Sequence, residues 1–97
     1  LAELLNTAHY IALIHKDPDS GYGVSFPAVL GVTAVADTLD DAISEAAITL
    51  GFALENWDGE HPVPRPLDAL RKDSQFIEWS ADAIVAAIPA PTPISAA

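Results

Sequence analysis

From Thr38 to Trp57, apolar residues recur at three- and four-residue spacing: Leu39, Ile43, Ala46, Leu50, Leu54 and Trp57. That spacing puts them on one stripe of an α-helix, and a helix with one apolar stripe must lay it on another element. Thr38 and Asp41 form a T-x-x-D start signal, and Asp37, Asp40 and Asp41 sit near the positive end of the helix dipole. Asp58-Gly59 is expected to end the helix.

The surface under that stripe has to come from strands. His9 to His15 (HYIALIH) is a dense apolar run that reads as a buried strand. Lys16 to Gly21 (KDPDSG) is turn chemistry: Pro18 fixes φ, Asp17 and Asp19 can bond their own backbone, and Gly21 accepts positive φ. Tyr22 to Phe26 then alternates, with Tyr22, Val24 and Phe26 on one face and Gly23 and Ser25 on the other, as a hairpin partner would. Pro27 stops it, Gly31 reopens the chain, and Val32 to Ala36 reads as a third strand. After the helix, His61 to Pro66 (HPVPRP) must be extended. Leu67 to Trp79 reads as one or two short helical turns, with Trp79 a candidate anchor, and Asp82 to Ile88 as a fourth strand.

The expected fold class is α+β: a two-layer β-β-β-α-(short α)-β domain with one main helix on a four-stranded sheet. A crossover helix would return the last strand parallel to one of the first three. The other sheet face would be left for water, a partner or a second copy. Residues 1–88 make the expected domain, with Leu1 to Ala8 a short helical lead-in, and 89–97 (PAPTPISAA) a Pro/Ala-rich tail or linker. The start at Leu1 and the lack of Met suggest a trimmed N-terminus.

Composition removes whole classes of function. Fourteen acids face 4 Lys plus Arg, for a formal charge of −10. Nucleic-acid binding needs clustered Lys and Arg, so these residues are not expected to bind it directly. A negative field of this size steers basic partners instead. With no cysteine there is neither a disulfide framework nor thiolate chemistry, which fits a cytoplasmic location. No apolar run approaches the ~20 residues of a membrane span, and no secretory signal is visible.

The ordered set of pieces resembles a known family. Asp17 to Pro27 (D-x-D-S-G-Y-x-V-S-F-P), Gly31 to Thr38 (GVTAVADT), Leu39 to Ala46 (LDDAISEA) and the spaced prolines from Gly59 to Pro66 together resemble the HicB antitoxins, over roughly Tyr10 to Ile88. Where that family usually has Pro-Asp-Leu-Pro-Gly, this chain has Pro27-Ala28-Val29-Leu30-Gly31. The resemblance implies a partly degraded ribonuclease H-like fold without nuclease activity. It implies a HicA-type toxin, a small basic mRNA-cleaving ribonuclease, as partner. It also implies self-association as a dimer or tetramer. Most such antitoxins carry a C-terminal DNA-binding segment for autorepression, so DNA would be bound only through a segment beyond these residues.

The residues themselves offer little catalytic chemistry. A ribonuclease H-like centre needs a carboxylate within the first strand and others nearby to hold two divalent ions, and His9 to His15 contains none. Asp17-x-Asp19-x-Gly21 fails the calcium-loop pattern, with glycine at position five rather than six and Ala28 at twelve. His9 and His15 share a face but stand roughly 20 Å apart, and neither they nor His61 show metal-ligand spacing. No nucleophile elbow or phosphate loop is present. No enzyme activity, metal or cofactor is therefore expected.

Binding is the expected function. Asp17 and Asp19 in the turn, and Asp37, Asp40 and Asp41 at the helix start, are candidates for steering a basic toxin. Tyr22 and Phe26 are candidates for apolar contact with it, unless they line the sheet face under the helix. Ile48 and Phe52, one helical turn apart opposite the stripe and rimmed by acids, are candidates for an oligomer interface unless the proline-rich segment or the lead-in covers them. The alternative is an orphan oligomerisation or sensor domain of a transcription regulator.

Overall fold

The computed structural model describes residues 7–91. In chain order they form β1 (Thr7–Lys16), β2 (Tyr22–Ser25), β3 (Thr33–Ala36), α1 (Leu39–Glu55), α2 (Leu67–Leu70), α3 (Ser74–Trp79) and β4 (Ile84–Pro91). The expected lead-in falls largely on residues 1–6, outside the described residues, while Thr7 and Ala8 already belong to β1.

The four strands make one sheet in the order β3-β2-β1-β4, and every neighbouring pair is antiparallel. The parallel fourth strand expected from a simple crossover is thus not found. The reason lies between α1 and β4. From the far end of α1 the chain passes the level of Tyr10, whose hydroxyl donates to the Pro62 carbonyl at 2.7 Å. It then travels back along the sheet until the Trp79 carbonyl lies 3.0 Å from His15 Nε2. So β4 enters opposite Ile14 and runs back towards Thr7.

That return path also adds a layer. Tyr10, Ala12 and Ile14 of β1 pack with Val24, Phe26, Ala34 and Ile88 under Ala42, Ala46, Leu50 and Leu54 of α1. The intervening Leu13 points the other way and is sealed by Leu70 of α2 and Phe76 of α3. β1 is therefore covered on both faces, which is why its sequence is a dense apolar run and not an alternation. The two-layer expectation is corrected to a sheet with α1 on one face and α2–α3 over part of the other. Phe76, not Trp79, is the anchor of α3; Trp79 is exposed.

The helix stripe is also rotated from the expected one. Ala42, Ala46, Leu50 and Leu54 are buried, whereas Ile43 and Trp57 are exposed. Two alanines let the first turns of α1 approach the strands closely, and a β-branched residue at those positions would hold the helix away. The Thr38 hydroxyl accepts from the Asp41 N–H at 3.1 Å, as its cap signal requires. The helix ends earlier than Asp58-Gly59, at an Asn56 cap whose side chain donates to the Phe52 carbonyl at 2.9 Å.

In the β1–β2 turn, the Asp17 carboxylate accepts from the Asp19 N–H at 3.0 Å. The Lys16 ammonium donates to the Asp17 and Ser20 carbonyls, each at 2.6 Å. Gly21 is not at positive φ; among the described residues only Gly31 and Gly59 are. What Gly21 supplies is clearance, since a Cβ there would collide with the Ala36 carbonyl oxygen. Gly21→Ala is expected to cost about 1–3 kcal/mol, the usual range for overpacking, measurable as a lower urea midpoint.

β4 is an edge strand, and its register places Pro89 opposite His9 and Pro91 opposite Thr7. The pairs at Ile84, Ala86, Ile88 and Ala90 can then carry the ladder hydrogen bonds, and the two prolines lose nothing by lacking an N–H.

Burial raises the Tyr10 hydroxyl above the usual tyrosine pKa of 10.0. A raised folded pKa contributes stability that is present below the unfolded value and lost as pH climbs through the folded one. Stability is therefore expected to fall above about pH 10. Tyr10→Phe should flatten that alkaline limb while costing about 1 kcal/mol at neutral pH for the lost bond to Pro62. Urea melts of both proteins across the pH range check this.

Candidate partner-binding site

The register brings two acidic segments together. Tyr22 pairs with Lys16 on one side and Ala36 on the other. The turn after Lys16 and the corner after Ala36 therefore lie at the same end of the sheet, although their acids are some twenty positions apart in sequence. Between Asp17 and Glu60 the chain has no Lys or Arg to offset them. Asp17 and Asp37 both line one open recess of about 710 Å³ at this end, with His15, Lys16, Gly21, Tyr22, Gly23, Val35 and Ala36 among its other walls. Asp19, Asp40 and Asp41 are exposed but do not line it.

On the sheet face away from α1, His15, Gly23 and Val35 form one cross-strand row through β1, β2 and β3. The glycine in the middle leaves a notch: a Cβ built there meets nothing within 4 Å. Val35 stands beside it 77% exposed. His15 has a second recess on its other side, of about 360 Å³, shared with Gln75, Glu78, Trp79 and Asp82. Its Nε2 lies 3.7 Å from the Asp82 carboxylate. The row is not legible in the sequence because neither glycine nor valine announces a binding role; only the pairing register reveals it.

Two expected contact residues are relocated. Phe26 is 1% exposed and lies in the core beneath α1, so it is not a surface contact. Tyr22 shares that face and is half-buried at the margin of the core, with the Lys16 ammonium 5.6 Å from its ring centroid. Tyr22, Val24 and Phe26 do alternate onto one face, and that face is the one α1 covers.

Ile48 and Phe52 remain on the surface of α1, 64% and 68% exposed. Among the described residues no group of three or more His, Asp or Glu side chains could hold a metal ion. No helix there is long and apolar enough to cross a membrane.

Comparison with known proteins gives the geometry a family. No curated protein matches the chain. Among solved structures, it resembles the antitoxin HicB of Burkholderia pseudomallei with a TM-score of 0.66 and 24% identity, covering 82% of this chain and 61% of that one. It also resembles the N-terminal domain of the same antitoxin, with a TM-score of 0.60 and 21% identity, over 82% of this chain and 94% of that one. At such identities the likeness is one of fold, and the chain spans 61% of the full antitoxin's length. The family model described as "HicB_like antitoxin of bacterial toxin-antitoxin system" matches residues 10–91, from the first core residue of β1 to the end of β4. The chain belongs to the HicB-like antitoxin family.

Proposed function

We propose that this domain neutralises a HicA-type mRNA-cleaving toxin by covering the basic surface with which that toxin binds RNA. The observation that carries this reading is the gathering of the turn and corner acids at one end of the sheet, with Asp17 and Asp37 in one open recess. A basic ribonuclease presents the opposite charge, and complementary fields favour the correct encounter. The domain acts by binding, in the cytoplasm, where mRNA is cut. A partly degraded ribonuclease H-like fold is what the resemblance to the family implies; β1 carries no carboxylate on which a nuclease centre could be built.

Two further parts belong to this reading. Ile48 and Phe52 form an apolar pair on α1 suited to a second copy of the chain. Residues 89–91 of the expected tail belong to β4, and it is residues 92–97 that would lead, in a longer form, to a DNA-binding segment that makes the toxin–antitoxin pair an autorepressor. Ile48→Glu with Phe52→Glu is expected to shift the domain from dimer or tetramer to monomer, read by light scattering on size-exclusion.

The deciding experiment is co-purification of the domain with the product of the adjacent short basic gene, followed by an RNA-cleavage assay. A stoichiometric complex whose toxin no longer cuts RNA is the expected result. A homo-oligomer that leaves the toxin active would overturn it in favour of a sensor or oligomerisation domain of a transcription regulator.

A further inference from the structure

We infer that the notch over Gly23 is a socket for a single cationic side chain, an arginine of the partner protein. This deepens the antitoxin reading and rests on it for the identity of the partner, though not for the chemistry of the socket.

Three observations point the same way. The first is shape. A glycine inside a strand weakens it and often marks a place where something approaches the backbone closely. Gly23 sits mid-row between His15 and Val35, and no neighbour fills the space above it. Gly21 is different, because the fold itself occupies its missing Cβ. Gly31, Gly51 and Gly59 are open as well, but Gly23 is the one that lies within a strand.

The second is charge. Asp17 and Asp37 line the recess that contains the notch. Among the described residues neither carboxylate forms an ion pair. The nearest cation, Lys16, is held by the Asp17 and Ser20 carbonyls and lies over the Tyr22 ring, so its ammonium is already engaged at the turn. The third is apolar surface. Val35 offers an exposed aliphatic wall, which suits the methylene stem of a long basic side chain whose head reaches the acids. A guanidinium fits better than an ammonium, because its planar fork can bond a carboxylate in bidentate fashion and is less strongly hydrated.

The test uses the 97-residue chain and methylguanidinium as the probe, followed by amide NMR at constant ionic strength. Saturable shifts centred on Gly21, Gly23, Val35 and Asp37 are expected. They should vanish in Gly23→Val, which fills the notch with a residue that strands favour, and in Asp37→Asn, which keeps the shape and removes charge. Shifts that never saturate and spread equally over Asp40, Asp41 and Glu45 would overturn the socket. So would an unchanged response in both variants. With the toxin as partner, Asp37→Asn and Gly23→Val are each expected to weaken binding about tenfold, equivalent to 1.4 kcal/mol. If the toxin binds both variants as tightly as the parent and the probe does not localise, the socket fails while the antitoxin reading stands. If the probe saturates the notch and no toxin binds at all, the antitoxin reading fails while the socket stands.

Discussion

Phe26→Ala is expected to destabilise the domain by about 3–5 kcal/mol, the usual cost of removing a buried aromatic ring. Phe26 is among the largest fully buried side chains. It closes the end of β2 beneath α1, in one cluster with Val29, Ala34, Ala46 and Leu50. A domain of this size has a total stability of about 5–15 kcal/mol, so the loss removes a large share of it. The thermal midpoint should fall by well over ten degrees, at about 4–8 degrees per kcal/mol. Any loss of toxin binding should follow the unfolded fraction, so that a stabilising osmolyte restores both together. A Phe26→Ala protein that keeps its midpoint yet no longer binds toxin would return Phe26 to the surface role suggested by its sequence.

The second large effect concerns rate. Toxin association should slow by at least about tenfold between low and roughly physiological-to-high salt, because steering acts through charges that salt screens. Asp19→Asn, Asp37→Asn and Asp40→Asn combined should lower the low-salt rate constant and flatten its salt dependence. The dissociation rate should change less, since rim charges act mainly on encounter. Stopped-flow mixing of the two proteins over a salt series reads both constants. An association rate indifferent to salt would leave the acidic end without a kinetic role. Asp40 lies in the first turn of α1, so its replacement also weakens a favourable dipole interaction by about 0.3–1 kcal/mol; a thermal melt measures that cost separately.

What could be read from the sequence and what could not divide along a physical line. Strand identities, the alternation along Tyr22 to Phe26, and the Thr38 cap are local properties, written in adjacent residues, and the structure has all of them. The direction of β4 was not legible. It depends on how the chain from Asn56 to Ala83 travels, and that path is fixed by contacts between distant residues, such as Tyr10 with Pro62 and His15 with Trp79. The rotation of α1 is not legible for a related reason. Large side chains attract the eye, yet close contact with the sheet is made by Ala42 and Ala46, whose value is that they are small. As for the candidate site, the acids were visible as residue types. That Asp17 and Asp37 share a recess with the open face of Gly23 follows only from the register of three strands.

The prolines of β4 have a consequence for how the molecule survives at high concentration. An open strand edge is a template on which identical chains can stack into cross-β aggregates, and this edge carries the exposed apolar residues Ile84 and Val85. Because Pro89 and Pro91 share a register parity with Val85 and Ala87, the outward-facing row offers N–H groups only at the latter two. An incoming strand would find half its donors missing, both of them along the second half of the edge. Replacing both prolines with threonine would leave the folded monomer almost unchanged and give it a continuous adhesive border. Fibril formation under gentle agitation should rise accordingly, a liability that two absent hydrogens hold off.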